Sequence, residues 1–456
     1  MKSIVFLCIA TIIIILSVYA NTSGLLTDQY DDAYITYRYA VNLANGDGLT
    51  FNIGERTDAA SSFLYTVVLA GFYKVGFHDL ESVSMIISIC SWCLLSLTLF
   101  ASLTSLSVSK VLSTVIAVFV MTSGLILGWI LSGMETIFFT CLVTLFVYNY
   151  FVLGKSSCVS SLLLVLIILT RHEGLMLVPF YAWSETKQTR LKYLYIVIVI
   201  FLYYLWRYEY YGLVVPWPMQ IKSIMVYYQP NPMDFFNRWA TYYSLPMVLT
   251  VSSVLLIPRR LYPLLVFTIF SWFVFCFGTR ADHLRYSVYV LPLMGILSGV
   301  VLQKLIETKK LFVLVVMILS LWFWGSYSHF RIVNRSRLQA VQHQIARKFV
   351  GKFVKDNIPT DQLIVSSDIG MIAYIASNHE FIDMIGLTSA NVGRRYLDKS
   401  NIDSILKERR PKYIADTINL STYNGFKPQR IFNNGIKSDI LSEIDIKLIG
   451  GNKVET

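Results

Sequence analysis

Apolar runs long enough to cross a bilayer recur along most of this chain, and they constrain its fold more than any motif does. Of its 456 residues 55% are hydrophobic and only 15% charged, with a mean hydropathy of +0.56. Most of such a chain has to lie in lipid. There every backbone polar group must be satisfied within its own segment, so the runs read as helices. The expected spans are 4–20, 82–106, 111–129, 135–153, 158–170, 174–184, 193–211, 240–257, 261–278, 286–303 and 311–326, about eleven in all.

Basic residues set the orientation. Lys110, Lys155, Lys187, Arg190, Lys192, Arg259, Arg260, Lys304, Lys309 and Lys310 fall in short loops between runs, and the positive-inside rule places those loops in the cytoplasm. The run 4–20 follows Lys2 and reads as an uncleaved signal anchor with a cytoplasmic N-terminus. This loop bias accounts for the net charge of +11, so no nucleic-acid partner is expected. The six cysteines sit in or beside apolar runs as small hydrophobes and imply no disulfide framework.

Two segments need a decision. A single helix over 158–183 would place Arg171, His172 and Glu173 near its middle, where each charge costs about 2.5–3.5 kcal/mol. Two short helices meeting at that turn avoid the penalty. The apolar stretch 59–77 would invert all later basic loops if it spanned, so it is expected to lie at the outer surface.

On this path the unusual charges collect on the outer face. Asp31, Asp32, Arg38, Arg56 and Asp58 belong to a first outer loop, 21–81. Glu135, the Arg171-His172-Glu173 turn, Arg207, Lys222, Arg280, Asp282, His283 and Arg285 come from later loops. Ionisable groups at or within a membrane are functional candidates by default. Two domains follow: a transmembrane catalytic unit, 1–326, and an extracytoplasmic α/β unit, 327–456. The latter alternates an expected helix (339–355), strands (363–366, 380–385, 412–415) and a helix (402–408), and is long enough to bury its own core. No phosphate-binding glycine loop or zinc pattern occurs, so no soluble nucleotide-binding domain is expected.

Joining a sugar to a hydroxyl needs a base for the acceptor's proton and a cationic site for a departing phosphate. Adjacent Asp31 and Asp32 point about 100° apart on a helix, so they cannot share one task. One division makes Asp31 the base and Asp32 an assisting group or the ligand of a divalent metal (Mg or Mn). The plainer alternative is that both cap a helix over 33–45, stopped at Asn45-Gly46-Asp47-Gly48. Asp31 and Arg38, seven apart, share a face and would pair. Arg171, Lys222, His283 and Arg285 are candidates for holding the donor phosphate, with Arg38, Glu135, Glu173 and Asp282 supporting them. Plain ion pairing of Glu135 and a self-satisfied Arg171-His172-Glu173 turn are the bland alternatives.

The stretches Asp31-Asp32-Ala33-Tyr34-Ile35-Thr36-Tyr37-Arg38-Tyr39-Ala40 and Asn45-Gly46-Asp47-Gly48-Leu49-Thr50-Phe51-Asn52-Ile53-Gly54-Glu55-Arg56 resemble the first outer loop of GT-C glycosyltransferases. The nearest resemblance is to the branch containing the mycobacterial terminal arabinofuranosyltransferase AftB. Ser132-Gly133-Met134-Glu135-Thr136, Thr170-Arg171-His172-Glu173-Gly174, Arg207 with Tyr210-Tyr211-Gly212, Lys222, Arg285 with Pro292, Asp368 with Gly370, and Asp383-Met384-Ile385-Gly386-Leu387 continue the likeness in order along the chain. The resemblance implies a polytopic α-helical GT-C fold with a C-terminal soluble α/β domain. It also implies an inverting transferase in the bacterial inner membrane. Such an enzyme takes its sugar from a polyprenyl phosphate and passes it to an envelope glycan or lipid on the periplasmic side, with the first-loop aspartate as base. Where that branch has Tyr-Thr-Asn-Pro-Leu-Trp this chain has Ala59-Ala60-Ser61-Ser62-Phe63-Leu64-Tyr65, and where it has Leu-Pro-Asn this chain has Val215-Pro216-Trp217-Pro218, so arabinose does not carry over. A transporter or flippase is the rival reading; it predicts internal repeats and midplane charges, and no repeat is present. A noncatalytic envelope scaffold is a third, in which the carboxylates are dispensable.

Overall fold

The computed structural model describes residues 29–155, 158–183, 190–224, 231–278, 282–307, 322, 325, 343–398, 403–415, 447–450 and 453–455. The expected span 4–20, and 311–326 apart from Trp322 and Gly325, lie outside the described residues. So do the side chains of Asp282 and His283.

Among the described residues three helices are long and apolar enough to cross a membrane: Leu80–Ser105, Arg259–Phe277 and Val290–Glu307. A fourth span forms if Lys110–Met121 and Gly124–Ile130, bent by 58°, count as one. Shorter apolar helices, Phe63–Lys74, Thr136–Val152 and Cys158–Thr170, pack beside them. The chain breaks at Arg171, which is extended, between the helix Cys158–Thr170 and a 3-10 turn over His172–Leu177. The cost of burying two charged groups, Arg171 and Glu173, mid-helix explains the break. Helix Pro232–Ser252 starts earlier than the hydropathy suggests and is kinked at Tyr243, three residues before its internal Pro246, as a proline inside a helix requires. Cys90 and Cys158 are exposed rather than buried.

Helix Asp31–Asn45 follows the apolar bundle's own contour. Tyr34 and Tyr37 enter the main bundle core, while Ile35 and Tyr39 on another face enter a second core. It stops at Gly46, whose φ of 94° is accessible to glycine at little cost and lets its amide reach back to Leu43. Within 59–77 the chain forms the helix Phe63–Lys74, which buries Tyr65, Thr66, Leu69 and Ala70.

The C-terminal segment is α/β with a five-stranded sheet, order β2-β1-β3-β4-β5: β1 Ile364–Ser366, β2 Phe381–Asp383, β3 Tyr413–Ala415, β4 Lys447–Gly450 and β5 Lys453–Glu455. All neighbours are parallel except β4 and β5. Side chains alternate across a sheet, and the two faces meet different partners. Val365, Ile382 and Ile414 pack within the segment, against Val392 and Leu406. Ile364, Phe381 and Ala415 instead join Ile35, Tyr39, Leu49 and Phe51 of the first loop, with Val350 and Val354 from a helix over 343–357. The C-terminal segment buries a core of its own, as expected, and a further core is shared with the first loop. Helix Ala390–Leu397 and strands β4 and β5 were not anticipated from periodicity.

β2 ends in a buried carboxylate. Asp383 accepts from the amides of Ile385 (2.8 Å) and Thr388 (2.8 Å) and from the Thr388 hydroxyl (3.2 Å). Burial pushes its carboxyl up to about 6, against the pull of these donors. An unfolded aspartate titrates near about 3.9, so this group favours folding in its protonated form. That contribution is complete at low pH and is lost as pH rises through about 6, a change on the order of 3 kcal/mol. Denaturant unfolding of this segment in the full chain should therefore show higher stability at pH 5 than at pH 7.5. The difference should shrink in Asp383→Asn; equal stability at both pH values would contradict the assignment.

Candidate active site

Asp31 and Asp32 are the acids of the first turn of helix Asp31–Asn45; the N-cap position is taken by Tyr30, so neither aspartate is the cap. The capping expectation is not met. Their position is fixed from outside. Tyr30 donates its amide to the Ser132 carbonyl (3.1 Å) and stacks on Trp129. The hydroxyls of Tyr37 (3.2 Å) and Tyr65 (3.3 Å) both donate to the Gly133 carbonyl. Gly133 has φ +74°, and a side chain there would collide with Gln29 and Tyr37. The Ser132–Thr136 motif is thus a bracket for the acidic helix, and it delivers Glu135 to the same place.

Glu135 is buried, and an isolated buried carboxylate is prohibitively costly. It is held by two guanidinium groups: Arg171 Nη1 at 2.7 Å and Arg285 Nη2 at 3.0 Å, both on Oε1. Arg171 turns the rest of its fork to Glu173 (Nη2 at 2.9 Å, Nε at 3.4 Å). Arg285 points its other terminal nitrogen toward Asp32, 3.6 Å away. Its Nε is buried with no hydrogen-bond partner among the described residues. A continuous row results, Asp32–Arg285–Glu135–Arg171–Glu173, most buried at its centre: the Glu135 side chain is 2% exposed, that of Asp32 48% and that of Glu173 26%. Tyr286 lies under both arginines, with Trp129 also beneath Arg285.

Asp31 faces elsewhere. Its two oxygens accept from the amides of Gly370 (3.0 Å) and Met371 (2.9 Å) in the C-terminal segment, and Arg347 Nε stands 3.6 Å away. Arg347 also holds Asp368 at 2.7 Å. Burial raises the Asp31 carboxyl above its ordinary value, opposed by Arg347 and the Met371 amide. The expected Asp31–Arg38 pair does not form. Arg38 is buried between the Phe51 and Phe381 rings and donates to the carbonyls of Phe51 (2.8 Å), Ala373 (2.7 Å) and His379 (2.8 Å).

The remaining candidates are dispersed. Lys222 is half-buried in the last turn of helix Trp217–Ile224. That helix docks on the C-terminal segment through Trp217, which donates to the Gly386 carbonyl at 2.7 Å. Asp58 and Arg207 form a buried ion pair and hydrogen bond joining the first loop to helix Arg190–Tyr211. Sequence reasoning missed Arg347 and Asn52. Asn52 exchanges both hydrogen bonds with the Phe381 backbone, at 2.8 and 3.2 Å. The glycine of Asp368-x-Gly370 was the available signal for a close approach at that end.

No three His, Cys, Asp or Glu side chains among the described residues are grouped so as to hold a metal ion. The Asp31 oxygens already serve two amides, and the nearest charge to Asp32 is a cation. This donor set does not fit a divalent cation held by the protein.

The fold places these features in a class: a multi-pass helical membrane protein with an α/β segment at its C-terminus. Among solved structures it is similar to the crystal structure of ArnT from Cupriavidus metallidurans bound to undecaprenyl phosphate, with a TM-score of 0.55 and 13% identity, over 88% of this chain and 90% of that one. The apo state of the same protein gives a TM-score of 0.53 and 11% identity over the same shares. At such identity the likeness is one of fold. Residues 333–446 match a family model described as a domain of unknown function (DUF8728). No curated protein matches the sequence.

Glu135→Gln should leave two buried guanidinium groups short of one negative charge. Breaking a buried pair of this kind costs about 3–5 kcal/mol. Thermal unfolding of the detergent-purified protein should fall accordingly, whereas Arg238→Ala, which removes an exposed pair, should leave it unchanged.

Proposed function

We propose that this protein is an inverting glycosyltransferase of the GT-C class that moves a sugar from a polyprenyl phosphate to an envelope glycan or lipid at the outer face of the bacterial inner membrane. One observation carries the reading: in a fold shared with a protein captured on undecaprenyl phosphate, an exposed carboxylate and a partly unsatisfied arginine lie side by side at Asp32 and Arg285. The ordered motifs from Asp31 to Leu387 support placement beside the terminal arabinofuranosyltransferase branch.

In the proposed reaction a carboxylate of the Asp31–Asp32 pair takes the proton of the acceptor hydroxyl as its oxygen attacks C1 of the sugar. The C1–O bond to phosphate breaks, and the polyprenyl phosphate leaves with the electron pair, which inverts the anomeric carbon. Arg285 is the best placed group to meet the charge that develops on the phosphate. In a water-poor cleft such a contact is much stronger than in solution. Arg171 holds both of its acids at 2.9 Å or closer, whereas the second acid of Arg285 stands at 3.6 Å, so the role of Arg171 is to hold Glu135, and through it Arg285. Lys222 and His283 remain candidates for the same phosphate, with Glu173 and Asp282 supporting.

The test is transfer in proteoliposomes from a panel of synthetic undecaprenyl-phosphate pentoses and hexoses to extracted envelope lipids and glycans. The wild-type chain should transfer at least one sugar. The Asp31→Asn/Asp32→Asn double variant, correctly inserted, should lose at least about 100-fold in rate. Undiminished transfer by that variant, or no transfer from any donor, would overturn the reading.

A further inference from the structure

We infer that the two adjacent aspartates divide their labour between domains: Asp31 is a latch that fastens the C-terminal segment over the site, and Asp32 alone is the carboxylate that meets the acceptor. The inference rests on the transferase reading above and assigns the roles within it.

Three observations from separate elements converge on this division. The carboxylate of Asp31 accepts the amides of Gly370 and Met371 and faces Arg347, and its side chain is 18% exposed, against 48% for Asp32. A base must have a lone pair within reach of the acceptor's proton, and both Asp31 oxygens point into the C-terminal segment. Second, the backbones approach closely there: a side chain on Gly370 would collide with the Asp31 carbonyl and carboxyl group. Third, Asp31 is one of a line of ties between the first loop and the C-terminal segment. Arg38 donates to Ala373 and His379, Asn52 pairs with Phe381, and Gln344 donates to the Gln29 carbonyl. Beneath these ties lies the shared apolar core of Ile35, Tyr39, Phe51, Ile364, Ile372 and Phe381.

The helix geometry then links the two roles. Asp31 and Asp32 are consecutive at the start of one helix, so fixing the first side chain on the C-terminal segment sets the direction of the second, about 100° around the axis. That direction is toward Arg285. Asp31, Arg38 and Arg347 are positioning residues in this account. Asp32 is the catalytic one.

Hydrogen–deuterium exchange and transfer kinetics on the full-length chain in proteoliposomes separate the roles. Asp32→Asn should lower kcat by about 100-fold or more while exchange over 369–375 stays at the wild-type level. Asp31→Asn and Arg347→Ala should speed exchange at Gly370 and Met371 and lower kcat by about tenfold. Gly370→Ala, which keeps both carboxylates, should reproduce the Asp31→Asn exchange pattern and its kinetic loss. If Asp31→Asn removes activity as completely as Asp32→Asn while exchange at 370–371 is unchanged, Asp31 is the base and the latch is refuted. If Gly370→Ala leaves both exchange and rate at wild-type values, the latch is likewise refuted. Absence of transfer by the wild-type chain from every donor would instead strike the transferase reading, and the exchange comparison would still decide whether Asp31 fastens the segment.

Discussion

A single buried carboxylate organises the end of the bundle that carries the acidic helix. Glu135 lies among apolar helices, where its charge can persist only if cations come to it, and the chain supplies two, Arg171 and Arg285, from turns far apart in sequence. Meeting that demand pins the broken helix at Arg171 and the 3-10 turn that carries Arg285 to one spot. Arg285 in turn reaches Asp32, so the exposed acid is positioned by the same network that neutralises the buried one. The row of alternating charges is therefore a structural necessity and a chemical opportunity at once.

The second organising constraint is the core shared by the first loop and the C-terminal sheet. Strand alternation gives that sheet two apolar faces, and one of them is completed by residues more than three hundred positions earlier. A loop rich in polar residues would ordinarily be mobile. Here it is clamped between the bundle, through Tyr30, Tyr37 and Tyr65, and the sheet, through Arg38 and Asn52. An acidic pair on a clamped helix has a fixed direction, which is the condition for catalysis by positioning.

Much of this was legible in the amino-acid order where local energetics decide. The cost of charge in lipid gives the break at Arg171, the glycine stop ends the first helix at Gly46, and short alternating runs mark β1, β2 and β3. What local pattern does not carry is partnership across long separations. Asp31 and Arg38 have the spacing of a same-face pair, yet each finds its partners in the C-terminal segment. Backbone amides and carbonyls leave no trace in side-chain pattern, so Arg38 bonding to three carbonyls has no sequence signature. Neither does the bracket at Gly133, although its motif was recognisable. The extra strands β4 and β5 and the helix Ala390–Leu397 were also missed, although they are no shorter than the elements that were found.

The account stands most directly on the cation beside Asp32. Native mass spectrometry of the detergent-purified chain with added undecaprenyl phosphate measures that contact without requiring the sugar or the acceptor. A saturable one-to-one complex is expected for the wild-type chain. Affinity should fall at least about tenfold in Arg285→Ala, a loss of roughly 1.4 kcal/mol, with partial recovery in Arg285→Lys. Equal affinity in wild type and Arg285→Ala, with both proteins folded, would contradict the account.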